Sequence, residues 1–171
     1  MKNLKSQYIG IITGIVMIAA SLFAFYYLHL PTKSNFLLIV YSIYSVGIVL
    51  TLLRYYKSDI PNKKFKDYFS EGFKAFIVVV LFMVIYTFIF VKTNPSIIAS
   101  FITENNKLLL AEGNRTEAEI SANEDKIKSM FLLSMVMGAT IIYLIIGALI
   151  SVLGAGFLSQ KSKQLPNAEN A

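Results

Sequence analysis

The sequence contains no cysteine, no tryptophan and one histidine in 171 residues. Without cysteine, the chain can form neither a disulfide nor a thiolate nucleophile or metal ligand. The histidine, His29, follows an apolar run close to Pro31, a position typical of a membrane interface rather than of a general base or metal ligand. Glycine-rich phosphate loops, HExxH motifs and serine–histidine arrangements are also missing. We therefore expect no catalytic residue, no cofactor and no metal, and we expect that the protein is not an enzyme.

Charged residues are scarce as well. They make up 15% of the chain, against 56% hydrophobic residues, whereas a soluble domain carries about 25% charged residues. Four apolar runs have no charged residue in their interior, and each approaches or exceeds the ~17–25 residues that a helix needs to cross a bilayer. The runs cover residues 7–28, 36–53, 72–91 and 130–158, with Lys74 at the start of the third. This pattern predicts an all-α, polytopic membrane protein, with one membrane domain over residues 1–171 built as a bundle of four transmembrane helices.

The first run has an alternative interpretation as a cleaved secretion signal. Lys2 and Lys5 precede it, and residues 19–21 are small enough for a signal peptidase to cut there. The apolar run continues through Leu28 without a break, however, and three further runs follow. We favour an uncleaved first helix.

The distribution of lysine and arginine predicts the orientation, because basic segments resist translocation. Ten of the sixteen basic residues lie before the first run, around the start of the third, or in the tail over residues 161–171, which we expect to be disordered. The connection over residues 92–129 has five basic and six acidic residues. We expect a multi-pass protein of the bacterial inner membrane with both termini in the cytoplasm. The net charge of +6 reflects this topology, and no nucleic-acid partner is expected.

An aromatic and basic segment, KKFKDYFSEGFKAF over residues 63–76, precedes the third run. Its phenylalanines recur at helical spacing and are flanked by lysines, which predicts an amphipathic helix with one aromatic stripe. We expect this helix to lie along the interface and to bend into the span at Gly72, with Glu71 paired to Lys74. A docking surface for a cytoplasmic partner or a specific lipid is the alternative. The residues of this interfacial anchor are Phe65, Phe69, Gly72, Phe73 and Lys74.

The outer connection over residues 92–129 has the pattern of two helices. The first begins at Pro95 and ends at the break around Gly113. The second begins near Thr116, with Glu119 at the capping-box position, and runs into the fourth span. We therefore expect a helical extracytoplasmic hairpin between the third and fourth spans. Its apolar face packs on the bilayer surface or between its own helices, and a protein-binding face is the alternative.

Small residues recur every four positions in the first and fourth runs. Lipid provides no hydrophobic drive for helix association, so close approach of backbones at small residues must supply the attraction. Packing within one bundle is the favoured interpretation, and homodimerisation is the alternative. The helix-packing candidates are Gly10, Gly14, Gly147, Ser151 and Ala155.

The arrangement of spans and connections resembles a family of bacterial membrane proteins known as domain of unknown function 4199. The resemblance covers nearly the whole chain, from about Lys5 to Leu158. Its most specific parts are the aromatic approach to the third span, with Phe69, Gly72 and Phe73, and the outer segment that starts at residues 94–95. It implies a small inner-membrane protein without an assigned activity, cofactor or catalytic residue.

Two hypotheses for the function remain. The first is a non-enzymatic membrane module in the lipid bilayer that binds a membrane-protein partner, or a second copy of itself. The second is a small carrier or channel subunit for an uncharged or lipid-like substrate. The polar groups available to such a carrier inside the spans include Ser42, Ser45, Thr87 and Tyr143.

Overall fold

A computed structural model describes residues 5–28, 36–113 and 115–164 of the chain. These residues form five α-helices and no strand: α1 (Ser6–Tyr26), α2 (Phe36–Tyr56), α3 (Phe65–Thr93), α4 (Pro95–Glu112) and α5 (Glu117–Gln164). By length and composition, α1, α2, α3 and α5 can each cross a membrane. The prediction of an all-helical fold with four helices long and apolar enough to span a membrane is confirmed for the described residues, and the chain has the character of a multi-pass membrane protein.

The helix α3 differs from its predicted form. It begins at Phe65 and continues for 29 residues, so that the aromatic segment and the third span are one uninterrupted helix. The helix continues through Gly72 without a break. A Cβ atom at this glycine would lie 2.7 Å from the Ser151 hydroxyl oxygen, so Gly72 permits close approach to α5.

The helix α5 is longer than the fourth apolar run. Its 48 residues correspond to about 72 Å at 1.5 Å per residue, more than twice the ~30 Å hydrocarbon core. It includes residues before the fourth run and continues to Gln164, so the tail expected to be disordered from residue 161 begins as helix. Residues 165–171 lie outside the described part of the chain, as do His29 and Pro31.

The ends of α4 and α5 follow the predicted signals. Pro95 occupies the first turn of α4, and Gly113 ends it with a φ of 69°, a left-handed conformation that glycine adopts without strain. Glu119 accepts a hydrogen bond from the Thr116 backbone N–H at 2.8 Å, while its own N–H donates to the Thr116 hydroxyl at 3.3 Å. The capping box at the start of α5 is therefore confirmed.

The described residues divide into two compact units. The first contains residues 1–83 and 141–171, and so includes α1, α2, the first part of α3 and the last part of α5. Its core is formed by fully buried side chains at the helix crossings, including Met17, Tyr44, Ile48 and Leu52. The Tyr44 hydroxyl donates a hydrogen bond to the Tyr143 carbonyl at 3.0 Å, which ties α2 to α5.

The second unit covers residues 84–140, with the end of α3, all of α4 and the first part of α5. Ile102 is buried, and the rings of Phe101 and Phe131 pack with centroids 5.2 Å apart. Further along the pair, the Asn106 amide donates to the Glu124 carboxylate at 2.6 Å. These contacts place α4 against the start of α5.

Two glycines of α5 have opposite surroundings. A Cβ atom at Gly147 would come within 3.0 Å of both the Tyr44 hydroxyl and the Phe76 ring, whereas one at Gly156 would meet no atom within 4 Å. Only at Gly147 do neighbouring helices lie so close that a side chain would force them apart.

We expect Gly147→Ala to lower the thermal stability of the purified protein, because overpacking a tight contact costs about 1–3 kcal/mol. Gly156→Ala is the matched control on the same helix, and it should leave stability unchanged or raise it by up to ~1 kcal/mol through helix propensity. Thermal unfolding in mild detergent compares the two. Equal effects of the two substitutions would contradict the packing assigned to Gly147.

Candidate functional site

The predicted helix-packing residues lie in contacts between the chain's own helices. Gly10 in α1 faces Ala75 and Val78 of α3, and Gly14 faces Phe82. Gly147 faces α2 and α3, as described above. Ser151 and Ala155 are fully buried. A second copy of the chain therefore has no access to these faces while the first unit is folded.

The predicted aromatic stripe runs from the surface into the core. The ring centroids of Phe65 and Phe69 lie 6.2 Å apart, those of Phe69 and Phe73 lie 6.1 Å apart, and those of Phe73 and Phe76 lie 5.0 Å apart. Phe65 and Phe73 are each 44% exposed, whereas Phe76 is buried. The stripe thus anchors α3 in the core at one end and presents two rings outward at the other.

Glu71 joins α1 to α3. One carboxylate oxygen accepts a hydrogen bond from the Ser6 hydroxyl, and the other lies 2.7 Å from the Lys74 ammonium group. The Glu71–Lys74 pair was predicted from its spacing of three residues and is confirmed. The bond to Ser6, across 65 positions of sequence, was not predicted.

Lys63 has its ammonium group at the end of α2. This group donates to the Tyr56 carbonyl at 2.7 Å and also to the Ser58 carbonyl. It lies 5.4 Å from the centre of the Tyr55 ring, and the side chain is buried. Burial lowers the pKa of Lys63, and the nearby charge of Asp59 opposes that shift. Because the last carbonyls of a helix lack partners and carry partial negative charge, this lysine caps α2.

Tyrosines connect α2, α3 and α5 at the same end of the first unit. Tyr55 and Tyr68 pack edge to face with ring centroids 5.2 Å apart, and the hydroxyls of Tyr68 and Ser162 lie 3.1 Å apart. The Lys161 ammonium group lies 5.7 Å from the centre of the Tyr56 ring. We call this end of the unit, with residues 54–66 and 161–162, the basic platform.

Two of the hydroxyl groups considered for a polar path, those of Ser42 and Ser45, donate to carbonyls of their own helix. Ser42 donates to the Leu38 carbonyl and Ser45 to the Tyr41 carbonyl, both at 2.8 Å. The Tyr143 ring packs edge to face against Tyr44. Serine and threonine often satisfy themselves in this way inside membrane helices. Among residues 5–28, 36–113 and 115–164, no group of three or more histidine, cysteine, aspartate or glutamate side chains could hold a metal ion.

Residues 8–160 match the family described as "Protein of unknown function (DUF4199)". The chain belongs to this family. No curated protein and no solved structure shows significant similarity to the chain. The match covers all four candidate spans and both units, so the DUF4199 family corresponds to the whole fold described here and not to a module within it. Its description assigns no activity.

The tertiary contacts of the site had no local signal in the sequence. Ser6 and Glu71 are remote from each other, and nothing distinguishes Lys63 from the neighbouring Lys64 except the path of the chain between α2 and α3. A weak signal exists for the cap, because a lysine soon after a helix end often interacts with the last carbonyls. With Lys57, Lys63, Lys64 and Lys66 all near this end, the sequence could not select among them.

We expect Lys63→Met to destabilise the protein by about 1.5–3 kcal/mol, the contribution of hydrogen bonds to a charged group. Methionine retains the apolar length of the side chain but leaves the Tyr56 and Ser58 carbonyls without this donor. The exposed Lys66→Met is the matched control and should change the unfolding temperature little. Unfolding in detergent, followed by circular dichroism, compares the variants, and a cap role is excluded if both behave as wild type.

Proposed function

We propose that this DUF4199 protein is a non-enzymatic module of the bacterial inner membrane that binds a membrane-protein partner through the α4–α5 pair. Both termini lie in the cytoplasm in this proposal, and the α4–α5 pair is the extracytoplasmic hairpin between the third and fourth spans. The basic platform then faces the cytoplasm, in agreement with the tendency of lysine and arginine to remain on that side.

The observation that carries the proposal is the exposure of two leucines near the end of α4. Leu108 and Leu110 are each 63% exposed, whereas Ile102, an apolar residue earlier in α4, is buried. On a helix, residues two apart point about 200° from each other, so the two leucines flank the buried face. Contiguous apolar surface outside the membrane marks protein interfaces, and we take these two leucines as the positions where a partner binds.

The bilayer surface is a poor candidate to cover these leucines. The Asn106–Glu124 hydrogen bond fixes the antiparallel register, so Leu110 lies level with about residue 120 of α5. Residue 120 is ten positions before Met130, the first residue of the fourth apolar run, which corresponds to about 15 Å along a continuous helix. With α5 extending outward from the membrane, the two leucines lie well beyond the headgroups and are available to another protein.

The alternative of a carrier or channel subunit receives less support. Its candidate hydroxyls Ser42 and Ser45 already donate to carbonyls of their own helix. A transported polar molecule would have to compete with those bonds, and charged side chains that usually mark transport paths are missing from the apolar interiors. We therefore favour the interaction module.

We expect a photo-crosslinking amino acid at Leu108 or Leu110 to give a discrete protein adduct in native membranes. The same amino acid at Leu153, an exposed leucine within the fourth span, is the control and should give lipid adducts only. The adducts are separated by gel and identified by mass spectrometry. Leu108→Gln and Leu110→Gln should abolish the adduct from the neighbouring position without lowering the unfolding temperature.

Two results would count against the proposal. One is a pattern of adducts at residues 108 and 110 that matches the lipid-only pattern at residue 153. The other is passage of small uncharged solutes across liposomes that contain the purified protein. An adduct of twice the chain mass would identify the partner as a second copy.

A further inference from the structure

The basic platform has more positive charge than its own carboxylates neutralise. Lys57, Lys64, Lys66 and Lys161 are exposed, and none has a carboxylate oxygen within 4 Å among the described residues. Among the acidic residues nearby, the charge of Asp59 acts on Lys63. Asp67 accepts from the Lys64 backbone N–H at 2.9 Å, and Glu71 is shared between Ser6 and Lys74.

Aromatic and hydroxyl contacts bring the helix ends that carry these lysines together in the first unit. The Lys161 ammonium group lies over Tyr56, the last residue of α2, and Lys57 is the next residue in the chain. Lys64 and Lys66 flank the start of α3, whose Tyr68 is tied to Ser162. Lys63 is different from all four, because its ammonium group is buried on the carbonyls of α2.

Apolar side chains are exposed beside these lysines. Ile60, between α2 and α3, is 51% exposed, and the Phe65 and Phe73 rings are 44% exposed. A binding surface for a soluble anion needs only positive charge. Exposed aromatic rings would add nothing to it, and their exposure to water is unfavourable. Cations next to exposed aromatic and aliphatic groups instead match a lipid, whose anionic headgroup and acyl chains are contiguous.

We propose that the basic platform binds an anionic phospholipid. The phosphodiester lies among the ammonium groups of Lys57, Lys64, Lys66 and Lys161, and the acyl chains run down α3 along the exposed Phe65 and Phe73 rings. Lys63 and Glu71 take no direct part, because their charged groups are already bound within the protein. This inference goes beyond the partner binding proposed for α4 and α5, and it concerns the opposite end of α3.

The test is native mass spectrometry of the full chain in a neutral detergent, titrated with phosphatidylglycerol or with phosphatidylcholine of the same acyl chains. We expect phosphatidylglycerol to bind at least about 30-fold more tightly, since four lysines contribute about 1 kcal/mol each. The double variant Lys64→Gln/Lys66→Gln should weaken phosphatidylglycerol binding by about 30-fold, from the usual contribution of a lysine near anionic headgroups. It should leave phosphatidylcholine binding unchanged.

The charge-matched control is Lys107→Gln/Lys126→Gln, which removes two exposed lysines from the other unit. It should bind phosphatidylglycerol as wild type does, and thermal unfolding checks that both double variants remain folded. Equal binding of the two lipids, or equal effects of the two double variants, would overturn the proposal. Competition by inorganic phosphate at the concentrations at which phosphatidylglycerol binds would also overturn it, because the ligand would then be a soluble phosphate. The outcome of this lipid-binding test does not depend on whether residues 108 and 110 give a protein adduct, so the two proposals can fail independently.

Discussion

The fold depends on close backbone approach at a few helix crossings. In hydrocarbon, side chains gain nothing by leaving the solvent for each other, so the helices associate through dense packing and the occasional hydrogen bond. The first unit places a glycine at each of several such crossings: Gly10 against Ala75, Gly47 against Thr13, Gly72 against Ser151 and Gly147 against Tyr44. Each crossing involves a different pair of helices, so the glycines together hold α1, α2, α3 and α5 in contact.

Polar groups in this protein are mostly committed to the structure itself. The Ser42 and Ser45 hydroxyls donate within their own helix, the Tyr44 hydroxyl ties α2 to α5, Lys63 caps α2, and Glu71 joins α1 to α3. The lysines of the basic platform that have no carboxylate partner, and the exposed leucines of α4, lie outside the apolar runs. Both proposals therefore rest on residues outside those runs.

The sequence was sufficient for the helices and their ends, because those depend on local properties. An apolar run of bilayer length is visible in one continuous segment of sequence. The signals at the helix ends, which are the proline and glycine of α4 and the capping box of α5, each lie within a few residues. The contact made at Gly72 was not predicted. The lack of a side chain at this glycine allows the contact with Ser151 in α5, and that partner is 79 positions away. The same limit applies to Ser6 and Glu71, since a bond between remote residues leaves no periodic trace. The small-residue pattern located the crossings but not which helices meet there.

The hydrogen bond from Tyr44 to the Tyr143 carbonyl has a consequence for how sequences of this family can diverge. The residue four positions after a carbonyl stands beside it on a helix, and here that residue is Gly147, which leaves the tyrosine hydroxyl its space. If position 147 carried a side chain, position 44 would need a residue without the hydroxyl, and position 76 would need a side chain smaller than phenylalanine. Positions 44, 76 and 147 therefore constrain one another, and changes at these three sites should be inherited as a set in homologous chains.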